Sequence, residues 1–273
     1  MAIPYDVSNP DPAAARQIFF EWLRAYSTST RRQLDVNGDQ YERLVEWTGN
    51  ADRATLSFHL LGVFWELVIE GVVAPGMGAQ NSHSMNLPWF HVTPYGKKVL
   101  EAGSGHPHDE AAYLARVSGL VSTPDPTVMA YLAESVKTLR RATPVAAAVM
   151  LGIAAERVFI LVCNALLAAL SNPAEQTAFT DKLNRYQMKP KLDWVHNKFQ
   201  SIQAQRLRGW PDNATLAVTA IYDFLRTQRN DLGHPRDLPP GVDREEMFGN
   251  LQIFPRFYKT ADILIQFFSA NQV

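Results

Sequence analysis

Hydrophobic residues recur every three or four positions along much of this chain, which predicts a mainly α-helical protein. In the first hundred residues this spacing predicts a helix that begins at Pro12 and a helix over residues 51–69, ended by Gly71, while Asp39 and Glu42 form a capping-box sequence that predicts the start of another helix between them. Residues 87–93 instead alternate between apolar and polar side chains, as in a half-buried strand. Helical spacing returns over residues 95–100, which predicts a short final helix for this half.

Beyond Pro126 the pattern is almost wholly helical, with short breaks between the predicted helices. These helices cover residues 131–141, 145–170, 173–205, 214–230 and 244–268. Asp243 and Glu246 form a capping-box sequence at the start of the last helix, and Pro255 is expected to kink that helix. The second half is therefore predicted to be an α-helical bundle of four or five helices.

The order helix, helix, hairpin, short helix is that of a winged helix. Residues 60–76, followed by the stretch FHVTPYG at residues 90–96, resemble the wing and final helix of winged helix-turn-helix domains, in which Thr-x-x-Gly follows the last strand. The resemblance covers residues 40–102 and implies DNA binding through a recognition helix. The expected wing, residues 76–86, contains no Lys or Arg, so a protein contact is an equal alternative.

Turn-forming residues cluster between positions 101 and 127 and mark the clearest boundary in the chain. We therefore predict a winged-helix-like domain over residues 1–103, a linker over 104–126 and a helical bundle over 127–273. A short helix inside the linker is compatible with its composition.

The chain has 273 residues and a formal net charge of −1, so it carries no overall basic field for nucleic acid. Any such binding must use a local patch. The one cysteine, Cys163, excludes an internal disulfide framework and a zinc site built from cysteines, and a reducing cytoplasm fits best. Residues 145–170 are apolar enough to suggest a membrane span, but Glu156 and Arg157 lie at their centre, so we expect a buried bundle helix and no membrane contact.

Chemistry is suggested first by Arg229 and His234, which stand at the end of the helix predicted over residues 214–230. A permanent cation and a titratable imidazole so close together can hold a phosphate and move a proton. The negative end of the helix dipole also favours both positive charges. The alternative is a purely structural role at the helix C-terminus, in which Arg229 caps backbone carbonyls and the following residues only form a turn.

A second candidate is Glu156, because a carboxylate in so apolar a helix must be paired or must face a polar cleft. The sequence leaves open whether its partner belongs to a functional site or to a salt bridge that only joins two helices.

The arrangement Arg229-Asn230-x-x-x-His234, after a helix with the sequence AAVMLGIAAE, resembles the HEPN superfamily, an α-helical bundle with an Arg-x(4–6)-His signature. The resemblance covers residues 125–270 and implies a metal-independent endoribonuclease that dimerises and needs no cofactor. It assigns Arg229 and His234 to the signature pair, Asn230 to the polar position after the arginine and Glu156 to the supporting acid. Such proteins frequently serve in toxin–antitoxin systems or antiphage defence, although many retain the fold without cutting RNA.

Cations interleaved with aromatic residues between positions 182 and 210 suggest a path for RNA, since cations hold phosphates and aromatic faces stack on bases. The candidate RNA-binding residues are Lys182, Arg185, Lys189, Lys191, Lys198, Arg206 and Arg208. The alternative is an ordinary solvated helix face above core aromatic residues.

Two function classes follow. The first is a cytoplasmic, homodimeric endoribonuclease that leaves 2′,3′-cyclic phosphate ends. The second is a non-catalytic regulator in which the N-terminal domain binds DNA or a protein, and the bundle supplies dimerisation or nucleotide sensing. A metal site at residues 106–110 and a calcium loop beginning at Asp35 are weaker candidates, because the first lacks a fixed third ligand and the second has Gln40 where a sharp turn needs glycine.

Overall fold

The computed structural model describes residues 3–6, 11–25, 32–33, 45–47, 53–75, 89–102, 107, 109–211, 214–233 and 241–273. The protein is mainly α-helical and divides into two compact units, residues 1–104 and 105–273. The expected wing, His234 and, except for Glu46, the calcium candidate lie outside the described residues. In the metal candidate at residues 106–110, Asp109 accepts a hydrogen bond from the Ala112 amide and Glu110 pairs with Arg140 at 2.6 Å.

Unit 1 combines three helices with short strands. The helices are α1 (Pro12–Ala25), α2 (Arg53–Ile69) and α3 (Pro94–Ala102), and the strands are β1 (Ile3–Tyr5), β2 (Arg32–Gln33), β3 (Val45–Trp47), β4 (Val73–Pro75) and β5 (Trp89–Val92). Strand β5 lies between β2 and β4 in an antiparallel sheet, with Val92 opposite Val73, while β1 pairs with β3 in parallel. Strand β3 lies in the stretch where a helix starting at Asp39 was predicted, because its backbone pairs with β1 instead. Helices α1 and α2 pack on each other over a core that includes Phe19, Trp22 and Phe90.

The Thr-x-x-Gly sequence connects β5 to α3. The Thr93 hydroxyl donates to the Gly71 carbonyl at 2.6 Å and accepts from the Gly96 amide at 2.9 Å. A Cβ on residue 96 would collide with the Val72 carbonyl, so only glycine permits α3 to approach the backbone just before β4 so closely. The motif therefore fixes the start of α3 against the end of α2.

A charged pair is buried inside unit 1. Arg16 on α1 donates two hydrogen bonds to the Glu70 carboxylate just after α2, at 3.0 and 2.6 Å, and both residues are buried. This bidentate geometry satisfies the carboxylate and joins the ends of two helices.

Unit 2 is a helical bundle. Its helices within the described residues are α4 (Glu110–Ser118), α5 (Pro126–Arg140), α6 (Pro144–Ala169), α7 (Pro173–Leu183), α8 (Lys189–Ala204), α9 (Ile221–Gly233) and α10 (Arg244–Ala270). A π-helical turn over Leu216–Ala220 leads directly into α9. Such turns are rare and often lie beside functional sites.

Helix α6 is the centre of the bundle and packs against α5, α9 and α10. Among the described residues it is the one helix long and apolar enough to cross a membrane by length and composition. Much of its surface is nevertheless covered by its neighbours, with Leu151, Val158 and Leu166 fully buried. The structure is thus compatible with a soluble protein whose most apolar helix forms the core.

Several predicted elements of unit 2 are confirmed closely. The helix expected over 145–170 is α6, and the Asp243 side chain accepts a hydrogen bond from the Glu246 amide at 2.8 Å, as its capping sequence predicts. Helix α10 continues through Pro255 as one element, while α4 lies inside the stretch predicted as a linker.

One predicted helix is two. The apolar pattern over 173–205 divides into α7 and α8, which are separated by residues 184–188. Pro190 stands in the first turn of α8, where its missing amide proton breaks no helical hydrogen bond. This break matters because residues 184–188 line the cavity described below.

Candidate functional site

Helices α6 and α9 run antiparallel and approach each other closely at Gly152. A Cβ added to Gly152 would collide with Arg229 Cβ and would lie 2.6 Å from Arg229 Cγ. Seven residues further along α6, the Phe159 ring stacks on the Tyr222 ring of α9, with a centroid distance of 4.2 Å. Gly152 therefore creates the space in which the Arg229 side chain crosses α6.

Glu156 lies on the face of α6 that carries Gly152 and Phe159, because it is four residues from the first and three from the second. Its charge acts on Tyr222 together with the charges of two α9 arginines. The pKa of Tyr222 is raised chiefly by burial and further by Glu156, and it is lowered by Arg226 and Arg229. Glu156 and both arginines thus belong to one electrostatic environment.

The adjacent charges Glu156 and Arg157 have different surroundings. Arg157 donates to both carboxylate oxygens of Asp125, the N-cap of α5, with a shortest distance of 2.8 Å. Glu156 forms no hydrogen bond and no ion pair within 4.0 Å to any other residue that the structure describes. Arg157 therefore belongs to a structural ion pair with Asp125, whereas Glu156 faces the polar cavity described below.

Two arginines project from α9 near its end. Arg229 donates to the Asn230 side-chain oxygen at 3.0 Å. Among the described residues this is the only hydrogen bond of the Arg229 side chain. Arg226 is held by Asp223, to which it donates at 2.7 and 3.1 Å. Arg229 consequently retains most of its five N–H donors for another group.

Glu156, Arg229 and Asn230 line a single cavity of about 830 Å³. We call it the basic cavity, because its described lining contains five cations and one carboxylate. The cations are Arg185, Lys189, Lys191, Arg226 and Arg229, and the remaining lining residues are Val149, Glu156, Ile160, Asn184, Tyr186, Gln187, Met188 and Asn230. Such an excess of positive charge in a concave surface attracts an anion.

Lys191 is the most unusual of these cations. It is only 7% exposed, yet within the described residues it forms no ion pair and no hydrogen bond. Its charge reaches the interior, where it partly offsets the rise in the Cys163 pKa caused by burial. Because Lys191 lines the basic cavity, an anion bound there could pair with its ammonium group.

The seven candidate RNA-binding residues do not share one surface. Arg185, Lys189 and Lys191 line the basic cavity, and Lys189 also pairs with Asp193 at 3.1 Å. Lys198 is tied to Glu175 at 2.6 Å. The other three, Lys182, Arg206 and Arg208, are outside the lining of this cavity.

Sequence reasoning missed Arg226. A signal was present, because Arg226 precedes Arg229 by three residues and therefore shares its helix face. The contribution of residues 184–188 could also have been inferred, from Pro190 as the mark of a new helix.

The candidate catalytic set is thus described for three of its four members, since His234, which follows α9 directly in the sequence, lies outside the described residues. Within those residues there is no group of three or more His, Cys, Asp and Glu side chains placed to hold a metal ion. The basic cavity can bind a phosphate through Arg229 and Lys191.

Comparison with known proteins gives no relative from which a function could be transferred. No family model matches the chain, and neither the curated proteins nor the solved structures contain a match.

Proposed function

We propose that unit 2 is a HEPN-type, metal-independent endoribonuclease whose active site is the basic cavity together with His234. The observation that carries the proposal is the convergence of Glu156, Arg229 and Asn230, from two helices, on one cavity rich in cations.

The proposed reaction uses the 2′-hydroxyl of RNA as its nucleophile. A base removes the hydroxyl proton, the 2′-oxygen attacks the adjacent phosphorus, and the bond from phosphorus to the 5′-oxygen breaks. The leaving 5′-oxygen takes a proton, so the products are a 2′,3′-cyclic phosphate and a 5′-hydroxyl. This chemistry requires proton transfer and stabilisation of negative charge on the phosphate.

The residues divide these tasks by their chemistry. His234 is the proposed group for proton transfer, because the pKa of an imidazole lies near neutrality. Arg229 is the proposed phosphate ligand, since a guanidinium can donate two parallel hydrogen bonds to phosphate oxygens. Asn230 is the proposed positioning residue for Arg229, supported by the 3.0 Å hydrogen bond between them. Glu156 is the proposed supporting acid, which balances the charge of Arg229 from another part of the same cavity lining.

The surrounding cations favour a polymer over a single phosphate group. Lys191 lies deep in the cavity, while Arg185 and Lys189 are exposed residues of its lining. Tyr186 also lines the cavity and is 96% exposed, so its ring is accessible for stacking on a base. These features suit a single strand that enters from solvent with one phosphate held inside.

A cleavage assay tests the proposal. Purified wild type, Arg229→Ala and His234→Ala are incubated with 5′-labelled single-stranded RNA in EDTA, and the product ends are identified by mass. We expect cyclic phosphate ends from wild type and a loss of at least a hundredfold in both variants. A positioned acid–base group such as His234 contributes about 10²–10⁴ in rate, and a donor that stabilises transition-state charge, the role proposed for Arg229, contributes about 10²–10³. Arg256→Ala is the matched control, since Arg256 is exposed on α10 and does not line the cavity.

Cleavage that survives in both variants would assign the activity to another site or to a contaminant. Absence of cleavage in wild type, combined with RNA binding that is lost in Arg229→Ala, would instead favour a non-catalytic RNA-binding role for the same cavity.

Unit 1 supports a separate role in contacting a partner. The antiparallel strands β4 and β5 between α2 and α3 are the arrangement expected of a winged-helix-like domain. The surface of α2 exposes the large apolar residues Trp65 and Ile69, at 42% and 66% exposure. An apolar helix face favours a protein contact over DNA phosphates, which are bound by cations.

A further inference from the structure

A second cavity, of about 530 Å³, lies between α8 and the π-helical turn that precedes α9. Its polar lining includes Gln200 and Gln203 on α8, Thr215 just before the turn and Thr219 within it, and we call it the amide cavity. Lys189 belongs to the lining of both cavities, so the two are neighbours. Nothing in the proposed cleavage reaction uses the amide cavity.

Two ion pairs connect the neighbouring cavities. Lys189 pairs with Asp193 at 3.1 Å, and Arg226 pairs with Asp223 at 2.7 Å. Arg226 lines the basic cavity, Lys189 lines both cavities, and both carboxylates line the amide cavity. Most of the phosphate-binding cations therefore lie on one side of this boundary, and the carboxylate acceptors lie on the other.

A hydrogen-bond chain fixes the orientation of groups in the amide cavity. The Thr219 hydroxyl donates its proton to the Thr215 carbonyl at 2.6 Å, so it must accept from His196 Nδ1, which is 3.3 Å away. A neutral His196 ring then accepts at Nε2 from the Gln200 amide nitrogen, 3.0 Å distant. This assignment leaves the Gln200 side-chain oxygen available as an acceptor within the described surroundings.

Gln203 offers the complementary group. Its side-chain oxygen accepts from the Thr215 hydroxyl at 3.3 Å, which leaves its amide nitrogen with protons to donate. Gln200 and Gln203 are three residues apart and share a face of α8. The cavity consequently presents a free acceptor and a free donor side by side, over apolar surface from Leu192 and Ala220.

A flat apolar face edged by adjacent donors and acceptors is the recognition chemistry of a nucleobase. We propose that the amide cavity binds the RNA base next to the phosphate held in the basic cavity, and that it prefers adenine or cytosine to uracil. The preference arises because the Gln200 oxygen can accept from an exocyclic amino group while the Gln203 amide donates to the ring nitrogen beside it, N1 of adenine or N3 of cytosine, whereas uracil presents a carbonyl and an N–H at these positions. The proposal rests on the proposed function, since it supplies the base specificity of the same RNA site.

The test measures binding without cleavage. Fluorescence anisotropy with full-length protein compares labelled 2′-O-methyl oligomers of A, C and U, which lack the nucleophilic hydroxyl. We expect wild type to bind the A and C oligomers about tenfold more tightly than the U oligomer, as one well-formed pair of base contacts provides. In Gln200→Ala/Gln203→Ala the ratio should fall to about one, with little change for the U oligomer.

Gln205→Ala is the matched control, because Gln205 is an exposed glutamine at the end of α8 outside both linings. Equal wild-type affinity for all three oligomers, or a preference that survives in the double variant, would overturn the base-binding proposal alone. Failure of every oligomer to bind would overturn the proposed function together with it. Gln200 and Gln203 are exposed, so the double variant should keep its fold, and its circular dichroism melting curve checks this.

Discussion

Unit 1 and unit 2 each bury a cation, but only unit 1 supplies a protein partner for it in the described structure. Arg16 in unit 1 and Lys191 in unit 2 are 8% and 7% exposed. Arg16 donates two hydrogen bonds to the buried Glu70 carboxylate, whereas Lys191 has no partner among the described residues. Lys191 also lines a cavity shared with Arg229 and Glu156.

The difference separates structural charges from candidate functional ones. A buried pair with good geometry neutralises itself and requires no ligand. A buried cation that lines a cavity can still pair with an anion, and the substrate can supply that anion. The basic cavity therefore differs from the core of unit 1 in having a cation without a protein counter-charge, and not in burial alone.

Breaking the unit 1 pair should have the largest effect on stability. Arg16→Met leaves the Glu70 carboxylate buried without its main partner, and we expect unit 1 to lose about 3–5 kcal/mol of unfolding free energy. Urea unfolding followed by tryptophan fluorescence measures this loss. Arg16→Met/Glu70→Leu removes both charges and should recover a large part of it; no recovery would show that the residues act by packing and not as an ion pair.

Gly152→Ala should damage both stability and function, because the new Cβ would collide with the Arg229 side chain. We expect a loss of about 1–3 kcal/mol, the usual range for overpacking, with weaker RNA binding as Arg229 moves. Gly249→Ala is the control, since a Cβ there meets nothing within 4 Å and alanine favours the α10 helix. A stable Gly152→Ala protein with normal RNA binding would contradict the assigned contact.

The Asp125–Arg157 pair sharpens the comparison through its pH dependence. The hydrogen bond from Arg157 is the main cause that lowers the folded-state pKa of Asp125. The pair's contribution is therefore complete above the unfolded pKa, about 3.9, and is lost as pH falls through the lower folded value. Arg157→Ala should reduce stability at neutral pH by about 1 kcal/mol, the range of partly exposed pairs. It should reduce stability less below pH 3, which acid titration of the melting temperature measures; a pH-independent loss would exclude this linkage.

Lys191→Met should have the smallest effect on stability and is informative for that reason. Removing an unpaired buried cation should leave the unfolding free energy unchanged or raise it by about 1 kcal/mol. Lys198→Met, which breaks the ion pair with Glu175, should lower it slightly. Thermal unfolding of the two variants in phosphate-free buffer gives the comparison, and a large loss in Lys191→Met would show that Lys191 has a structural partner.

The fold was predictable where local chemistry decides it. The apolar run of α6, the capping residue Asp243 and the Thr93–Gly96 sequence each lead to the predicted element. Apolar spacing alone did not predict the division between α7 and α8, which Pro190 marks, or the π-helical turn. Whether such spacing forms one helix or two depends on packing against other helices.

The site was predictable in its residue types but not in its pairings. Glu156 and Arg157 look equivalent in the sequence, yet only Arg157 meets a counter-charge, Asp125, which is 32 residues away in the chain. Lys191 belonged to a run of cations that suggested a surface, and tertiary packing buries it. Charge partners across helices are set by tertiary structure, which a single sequence does not display.

The salt dependence of RNA binding tests the central claim most directly. Each phosphate neutralised by a protein cation contributes about 0.7 to the slope of log affinity against log salt for a single strand. With an uncleavable 2′-O-methyl oligomer, Lys191→Met and Arg229→Met should each lower the slope by about that amount, whereas Lys198→Met and Arg256→Met should leave it unchanged. Equal slopes for all four variants and wild type would contradict the claim that RNA phosphates neutralise the cations of the basic cavity that have no protein counter-charge.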